Sequence, residues 1–158
     1  MATEIIERAL LAILQNKVEA GKVVVLLGAR RVGKTELLKR FLQDFEGDQF
    51  LFLNGEDQNT IDVLATNSAA NYARLLNTKT LLVIDEAQKV PEIGSKLKLI
   101  VDSFPSVKVI ATGSSVFDLT QKMAEPLVGR QKQLRLFPIA QSEFKNHENL
   151  IETQANLE

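Results

Sequence analysis

The segment from Gly28 to Thr35 carries the most specific chemistry in the sequence. It reads Gly-Ala-Arg-Arg-Val-Gly-Lys-Thr, a pattern in which two spaced glycines precede a lysine and a threonine. Glycine lets the backbone aim its N–H groups at phosphate oxygens, and a following helix adds its positive amino-terminal end. The pattern predicts a phosphate-binding loop in which Lys34 meets only solvent or nucleotide phosphates and Thr35 ligates Mg²⁺.

The loop lies between an apolar run and an amphipathic segment, which is the strand–loop–helix setting that this chemistry requires. The alternative, a glycine-rich turn without a ligand, is disfavoured by that setting. At the tip of the loop, Arg30 and Arg31 either contact phosphate or a partner's acidic group, or are simply solvated. Nucleotide contacts are predicted for Gly28, Ala29, Arg30, Arg31, Val32, Gly33, Lys34, Thr35 and Glu36.

An acidic pair, Asp85-Glu86, ends the apolar run at 81–84. Because the carboxyl ends of parallel strands meet at a ligand crevice, Asp85 is predicted to face the Mg²⁺ held by Thr35, through a water. Glu86 is suited to accept a proton from the water that attacks the γ-phosphate. A helix N-cap is the alternative for these carboxylates, but the phosphate loop favours the functional interpretation.

Hydroxyl groups end a further apolar run at 107–112, which continues as Gly-Ser-Ser. Two interpretations stay open for Thr112 and Ser114. One is a sensor that hydrogen-bonds to the γ-phosphate or the attacking water, and the other is a cap for the next helix. For Ser115 the cap is predicted, because Asp118 completes a capping box.

Arg130 lies in a locally basic segment with Lys132 and Arg135. It is either a surface charge or an arginine finger, a cation that enters a neighbouring subunit's site and stabilises transition-state charge. Both interpretations stay open at the level of the sequence.

The elements that must position these residues alternate along the chain. Strands are predicted at 23–27, 50–54, 80–85, 107–112 and, with an alternating pattern typical of an edge, 133–137. Helices are predicted from an N-cap at Thr3 to Gly21, from 37 to Gly47, weakly within 55–78, from Pro91 to Pro105, and from Ser115. This alternation predicts an α/β fold with a mostly parallel five-stranded sheet and helices on both faces.

Composition narrows the function classes. The chain has 158 residues, 45% hydrophobic and 25% charged, as expected for one globular domain. Its formal charge of −1 argues against a chain that mainly coats nucleic acid or an anionic membrane. The absence of cysteine excludes thiolate nucleophiles and Cys-ligated zinc, and the single histidine, His147, argues against a His-based triad. Glu4, Glu7 and Arg8 interrupt the first apolar run, so we expect a soluble cytoplasmic protein.

Taken together, GARRVGKT, LLVIDEAQ, VIATGSS and GRQKQLRLFP resemble the core motifs of AAA+ ATPases in order and approximate spacing. The sequence is most similar to the archaeal-type (AAA-14-like) branch, over residues 5–145. The resemblance implies a P-loop NTPase sheet, ATP and Mg²⁺ as cofactors, hydrolysis, and assembly into rings or switch complexes. It implies that Gly28, Gly33, Lys34 and Thr35 hold phosphates and metal, that Asp85 holds metal, that Glu86 activates water, and that Arg130 matches the arginine after the fourth helix.

Two departures from that family pattern affect the expectations. Many AAA+ proteins place an asparagine sensor where this strand end offers Thr112, Gly113 and Ser114. The helical lid with its second sensor arginine does not fit after Pro138. We therefore expect a nucleotide-binding core at 1–145 without its lid, and a polar tail at 146–158 that begins a downstream region.

The expected function is Mg-dependent ATP hydrolysis by one module of a larger protein, driving a conformational or assembly change. The alternative is a nucleotide-dependent binding switch with negligible turnover. Glu86 favours the enzyme, whereas the missing lid and the sensor that departs from the family pattern favour an isolated fragment of low activity. The expected partners are further copies of the chain and a protein or DNA client bound outside it, with no membrane. Half of a DEAD-like helicase core fits less well, because such a core needs a second sheet domain. A small-molecule kinase also fits less well, because the run Asp-Glu-Ala-Gln is untypical of that class.

Overall fold

Apolar runs rich in β-branched residues build the central sheet. The computed structural model describes residues 2–28, 33–114, 121–123 and 125–136. The strands are β1 Val23–Leu27, β2 Phe50–Asn54, β3 Leu81–Asp85, β4 Lys108–Gly113 and β5 Gln131–Arg135. The helices are α1 Ala2–Lys17, α2 Lys34–Leu42, α3 Gln58–Leu64, α4 Ala69–Leu76 and α5 Ile93–Ser103, with a 3₁₀ turn at Ala87–Lys89.

Some sequence predictions fall outside the described residues. These are the loop residues Ala29, Arg30, Arg31 and Val32, the capping box of Ser115 and Asp118, and the tail at 146–158 with His147. In the ranges that the structure describes, no helix combines the length and the apolar character needed to cross a membrane.

The sheet is parallel at every pairing, in the order β2-β3-β4-β1-β5. This confirms the predicted α/β fold with its five-stranded sheet. Every residue of β1 is buried, because the strand lies between β4 and β5 and helices cover both faces. The loop that follows β1 therefore starts from a rigid support.

Two apolar layers flank the sheet, since successive side chains of a strand point to opposite faces. Val23, Val25 and Leu27 of β1 belong to the cluster that includes α4 and α5. Val24 and Leu26 belong to the cluster that includes α1 and α2. Helix α2, which carries Lys34, thus packs in one apolar layer together with α1. Helices α3, α4 and α5 pack in the other layer.

Several helix ends differ from the predicted ones: α2 begins at Lys34 rather than at 37, and α5 runs from Ile93 to Ser103 rather than from Pro91 to Pro105. Helix α1 already includes Thr3, so that residue does not act as its N-cap, and α1 ends before Gly21. Gly21 has a φ of 77° and forms the turn into β1. Helix α2 ends before Gly47, because the chain turns at residues 43–45.

The polar segment at 55–78 forms two short helices rather than one weak one. Asp57 begins α3 by accepting the N–H of Asn59 at 2.9 Å, and Ser68 begins α4 by accepting the N–H of Asn71 at 3.2 Å. Tyr72 anchors α4, since its ring is fully buried. Its hydroxyl donates to Oδ1 of Asn67 at 2.9 Å.

Strand β5 lies two residues earlier than predicted. It pairs along the whole of β1, from Val23 with Gln131 to Leu27 with Arg135, so the register of β1 fixes its limits. Its predicted place at a sheet edge is confirmed.

The single tyrosine of the chain gives a direct test of this packing. Burial raises the pKa of Tyr72 to about 12, whereas an unfolded tyrosine titrates at about 10. Absorbance titration of the folded protein should therefore give one midpoint near the raised value, and denaturant should return it to the ordinary one. Because the folded-state pKa is the higher one, the free energy of unfolding should fall as the pH rises between the two values. A midpoint near 10 with the circular dichroism of the folded protein intact would contradict the buried position.

Candidate functional site

A cleft of about 410 Å³ lies at the carboxyl edge of the sheet. Parallel pairing brings the ends of β2 and β3 to this edge, where they face the first turn of α2. The lining residues are Gly33, Lys34, Thr35, Glu36, Asn54, Glu56, Asp85 and Glu86. The cleft thus joins residues of the predicted phosphate loop with the predicted acidic pair.

The phosphate loop leaves β1 at Gly28 and enters α2 after Gly33. Gly33 has a φ of 93°, a conformation that glycine adopts without strain, and its carbonyl accepts the N–H of Leu37 at 2.9 Å. Lys34 is buried, and its ammonium donates to the carbonyl of Gly28. The prediction that this side chain meets only solvent or phosphate is therefore wrong. A buried ammonium needs oxygen acceptors, and the loop backbone supplies one.

The two carboxylates at the end of β3 are held differently. Oδ1 of Asp85 accepts the hydroxyl hydrogen of Thr112, the fully buried threonine of β4. The same hydroxyl oxygen accepts the backbone N–H of Glu86 at 3.2 Å. Thr112 thus ties the acidic pair to β4. Its hydroxyl is engaged with protein groups on both sides, and a contact with nucleotide stays a prediction.

Glu86 sits in a polar cluster with Gln88 and Ser114. The Gln88 side-chain amide donates to its Oε2 at 2.6 Å, and the Ser114 hydroxyl donates to the same oxygen at 2.9 Å. Burial raises the pKa of the Glu86 carboxyl, but the hydrogen bonds from Gln88 and Ser114 and the charge of Lys34 outweigh it, so the net pKa is lowered. Glu86 is therefore held as a carboxylate that lines the cleft.

The cleft offers ligands suited to Mg²⁺. The exposed Thr35 hydroxyl and the Asp85 carboxylate both line it, and oxygen donors are what this cation prefers. Within the described ranges there is no cluster of three or more acidic or histidine side chains that could hold a metal ion.

A family model described as an AAA domain matches residues 20–145. The match covers the phosphate loop, the acidic pair and the hydroxyl residues at the end of β4. The chain belongs to the AAA domain family. This confirms the resemblance drawn from the motifs and makes the chain an AAA-like P-loop ATPase domain.

Curated relatives of this AAA domain are longer than the chain itself. An uncharacterized protein of Methanocaldococcus jannaschii is 28% identical over 138 residues, which cover 86% of this chain and 31% of the relative. An uncharacterized protein of Mycobacterium tuberculosis is 30% identical over 124 residues, 78% of this chain and 26% of the relative. The chain therefore spans about a third of these relatives or less.

A solved structure supports the fold. The crystal structure of a DNA replication initiation factor superposes with a TM-score of 0.57 at 18% identity. The superposition covers 98% of this chain and 51% of that chain, so the AAA domain corresponds to about half of the neighbour. At this identity the likeness shows the fold alone.

Arg130 lies away from the cleft of its own AAA domain. Its carbonyl accepts the N–H of Val23, the first residue of β1, so it sits at the end of the sheet opposite the phosphate loop. Its Nε lies 2.7 Å from Oδ1 of Asp102, in a partly exposed ion pair. Arg130 thus takes no part in the site of its own chain, and a finger that acts in a neighbouring subunit stays a prediction.

The sequence predictions missed several residues of the site. Asn54 and Glu56 line the cleft from the end of β2, and Gln88 reaches Glu86 from the 3₁₀ turn. The backbone of Gly55 lies directly against the acidic pair, since its N–H donates to the carbonyl of Asp85 at 2.6 Å. The available signal was the polar run Asn-Gly-Glu-Asp, which begins at the last residue of β2. A polar run at the end of an apolar strand is also the feature that identified the acidic pair.

Gly55 gives a test of the close contact between β2 and the acidic pair. A Cβ atom at this position would lie 2.1 Å from the carbonyl oxygen of Glu86. Gly55→Ala should therefore force the two backbones apart and lower the free energy of unfolding by about 1–3 kcal/mol. Gly47→Ala is the matched control, because a Cβ there would meet nothing within 4 Å. Urea unfolding measures both, and equal stabilities of the two variants would contradict the contact.

Proposed function

We propose that this AAA domain binds ATP with Mg²⁺ and hydrolyses the bond between the β- and γ-phosphates. The observation that carries the proposal is the convergence of Lys34, Thr35, Asp85 and Glu86 on one cleft. Lys34 and the amino-terminal end of α2 attract phosphate. They line the same cleft as two carboxylates that have different hydrogen-bond partners. That set of groups matches the requirements of phosphoryl transfer to water.

Each group has a distinct role in the proposed reaction. Lys34 and the first turn of α2 stabilise negative charge on the phosphates. Thr35 and Asp85 would hold Mg²⁺, which when bound neutralises charge on the phosphate oxygens. Thr112 orients Asp85 through its hydroxyl.

Glu86 acts on the attacking water. Its carboxylate accepts a proton as the water oxygen forms a bond to the γ-phosphorus. The bond from that phosphorus to the β–γ bridging oxygen breaks, and the electron pair leaves with ADP. The products are ADP and inorganic phosphate, and the proton passes from Glu86 to solvent.

We also propose that the AAA domain is one module of a larger protein and that turnover drives a conformational or assembly change. The lengths of the curated relatives support the first part of this proposal, because the chain spans about a third of each relative or less. Further copies of the chain would complete the assembly, with Arg130 as the cation offered to a neighbour. A protein or DNA client would bind through regions outside this chain, and we place the protein in the cytoplasm.

A binding switch with negligible turnover is the second candidate. The observation that favours it is the pair of hydrogen bonds to Oε2 of Glu86. These bonds stabilise the carboxylate and so make it a weaker base, which slows proton abstraction from water.

Nucleotide binding is tested by Lys34→Ala. Loss of the ammonium should weaken the binding of Mg-ATP by tenfold or more, about 1.4 kcal/mol. Lys39→Ala is the matched control, because Lys39 lies on the same helix and is exposed in an ion pair with Glu36. Calorimetric titration gives the affinities, and circular dichroism verifies that both variants are folded. An affinity equal to that of the wild type would overturn the assignment of the phosphate loop.

Hydrolysis is tested by Glu86→Gln. The amide cannot accept a proton, so steady-state phosphate release should fall by about 10²- to 10⁴-fold while Mg-ATP still binds. Glu92→Gln is the control, since Glu92 shares the left-handed backbone conformation of Glu86 but begins α5. Wild-type and Glu86→Gln rates that are equal and close to background would support the binding switch instead.

A further inference from the structure

The side chain of Gln88 joins the turn after β3 to the acidic pair. It lies in the 3₁₀ turn after β3 and is 5% exposed. Its amide nitrogen turns back toward the acidic pair and donates to Oε2 of Glu86 at 2.6 Å. The same nitrogen lies 3.4 Å from the hydroxyl oxygen of Ser114, so the three side chains form one cluster.

The backbone around Gln88 is fixed from two directions. Glu86 has a φ of 51°, a left-handed conformation uncommon outside glycine, and its carbonyl accepts the N–H of Lys89 at 3.1 Å. The ammonium of Lys122 donates to the carbonyl of Gln88 at 2.5 Å. The turn therefore presents the Gln88 amide to Glu86 from a defined position.

The oxygen of the Gln88 amide adds no hydrogen bond to the part of the fold that is described. Oε1 of Gln88 is buried, and among the described residues it has no hydrogen-bond partner. A buried acceptor without a donor costs stability, so an apolar side chain of the same length would suit the fold better. Unpaired groups of this kind call for an explanation beyond packing.

Resting on the proposed hydrolysis, we propose that Gln88 is a positioning residue that fixes the carboxylate of Glu86 for proton abstraction from the attacking water. The two side-chain donors, Gln88 and Ser114, engage Oε2, and the backbone N–H of Ser114 also donates to the carboxylate. Because each carboxylate oxygen has two lone pairs, Oε1 of Glu86 then has lone pairs to accept the water's proton. Without the Gln88 amide, only Ser114 holds the carboxylate, so Glu86 keeps this orientation for a smaller share of the time.

The test is Gln88→Met in the whole chain, since methionine keeps the length of the side chain and removes the donor. The kcat for phosphate release should fall by about 10- to 100-fold, as expected for a misplaced catalytic group. The KM for Mg-ATP and the calorimetric affinity for Mg-ADP should stay close to wild type. The urea midpoint should stay close to wild type, because the substitution removes the unpaired oxygen together with the hydrogen bond that the amide donates.

Two further variants sharpen the result. Gln88→Glu replaces the donor by an acceptor and should lower kcat at least as far as Gln88→Met. Gln58→Met is the matched control, because Gln58 also donates its amide to a carboxylate, that of Asp62 at 2.9 Å, but on α3. It should leave kcat unchanged.

The outcomes separate this inference from the function on which it rests. A wild-type kcat in Gln88→Met would overturn the positioning role, and so would a fall in kcat that is matched by a fall in the urea midpoint. Wild-type turnover at background, or a Glu86→Gln rate equal to wild type, would instead overturn the proposed hydrolysis and this inference with it.

Discussion

The parallel pairing of β3 with β4 is the constraint on which the candidate site depends. Because Ile84 pairs with Ala111, Asp85 and Thr112 reach the edge of the sheet side by side. The Thr112 hydroxyl can therefore donate to Asp85 and accept the N–H of Glu86 in one arrangement. A slip of one residue would turn Thr112 to the other face and leave both carboxylates without this support.

The apolar layers and the charged cleft depend on each other. Strands that are buried on both faces hold the backbone still, which lets charged groups stand close together at the strand ends. Lys34 and the first turn of α2, which also carries Glu36, line the cleft together with Glu56, Asp85 and Glu86. A bare triphosphate would be repelled by that many acidic groups, which is consistent with the proposal that the nucleotide binds together with a divalent cation.

Local patterns in the sequence predicted much of the fold and the centre of the site. The phosphate loop and the pair Asp85-Glu86 could be found because each is contiguous in the chain and each follows an apolar strand. Gly55 could not be found in this way, because its contact joins different elements. Gln88 lies in the same run as Glu86, but its contact with Ser114 at the end of β4 is not local. Gly55 touches the acidic pair only through the pairing of β2 with β3. The pairing of Arg130 with Asp102 across the structure was likewise beyond a local pattern.

The sequence by itself determined the strand–helix alternation, the phosphate loop and the chemical class of the groups at the strand ends. Those properties follow from neighbouring residues, whose periodicity and side-chain chemistry are local. Only the tertiary structure decided which partners these groups have: the loop carbonyl for Lys34, Thr112 for Asp85, and Gln88 with Ser114 for Glu86. Hydrogen bonds act over about 3 Å, so they depend on register and close packing, which the spacing of residues along a chain does not specify.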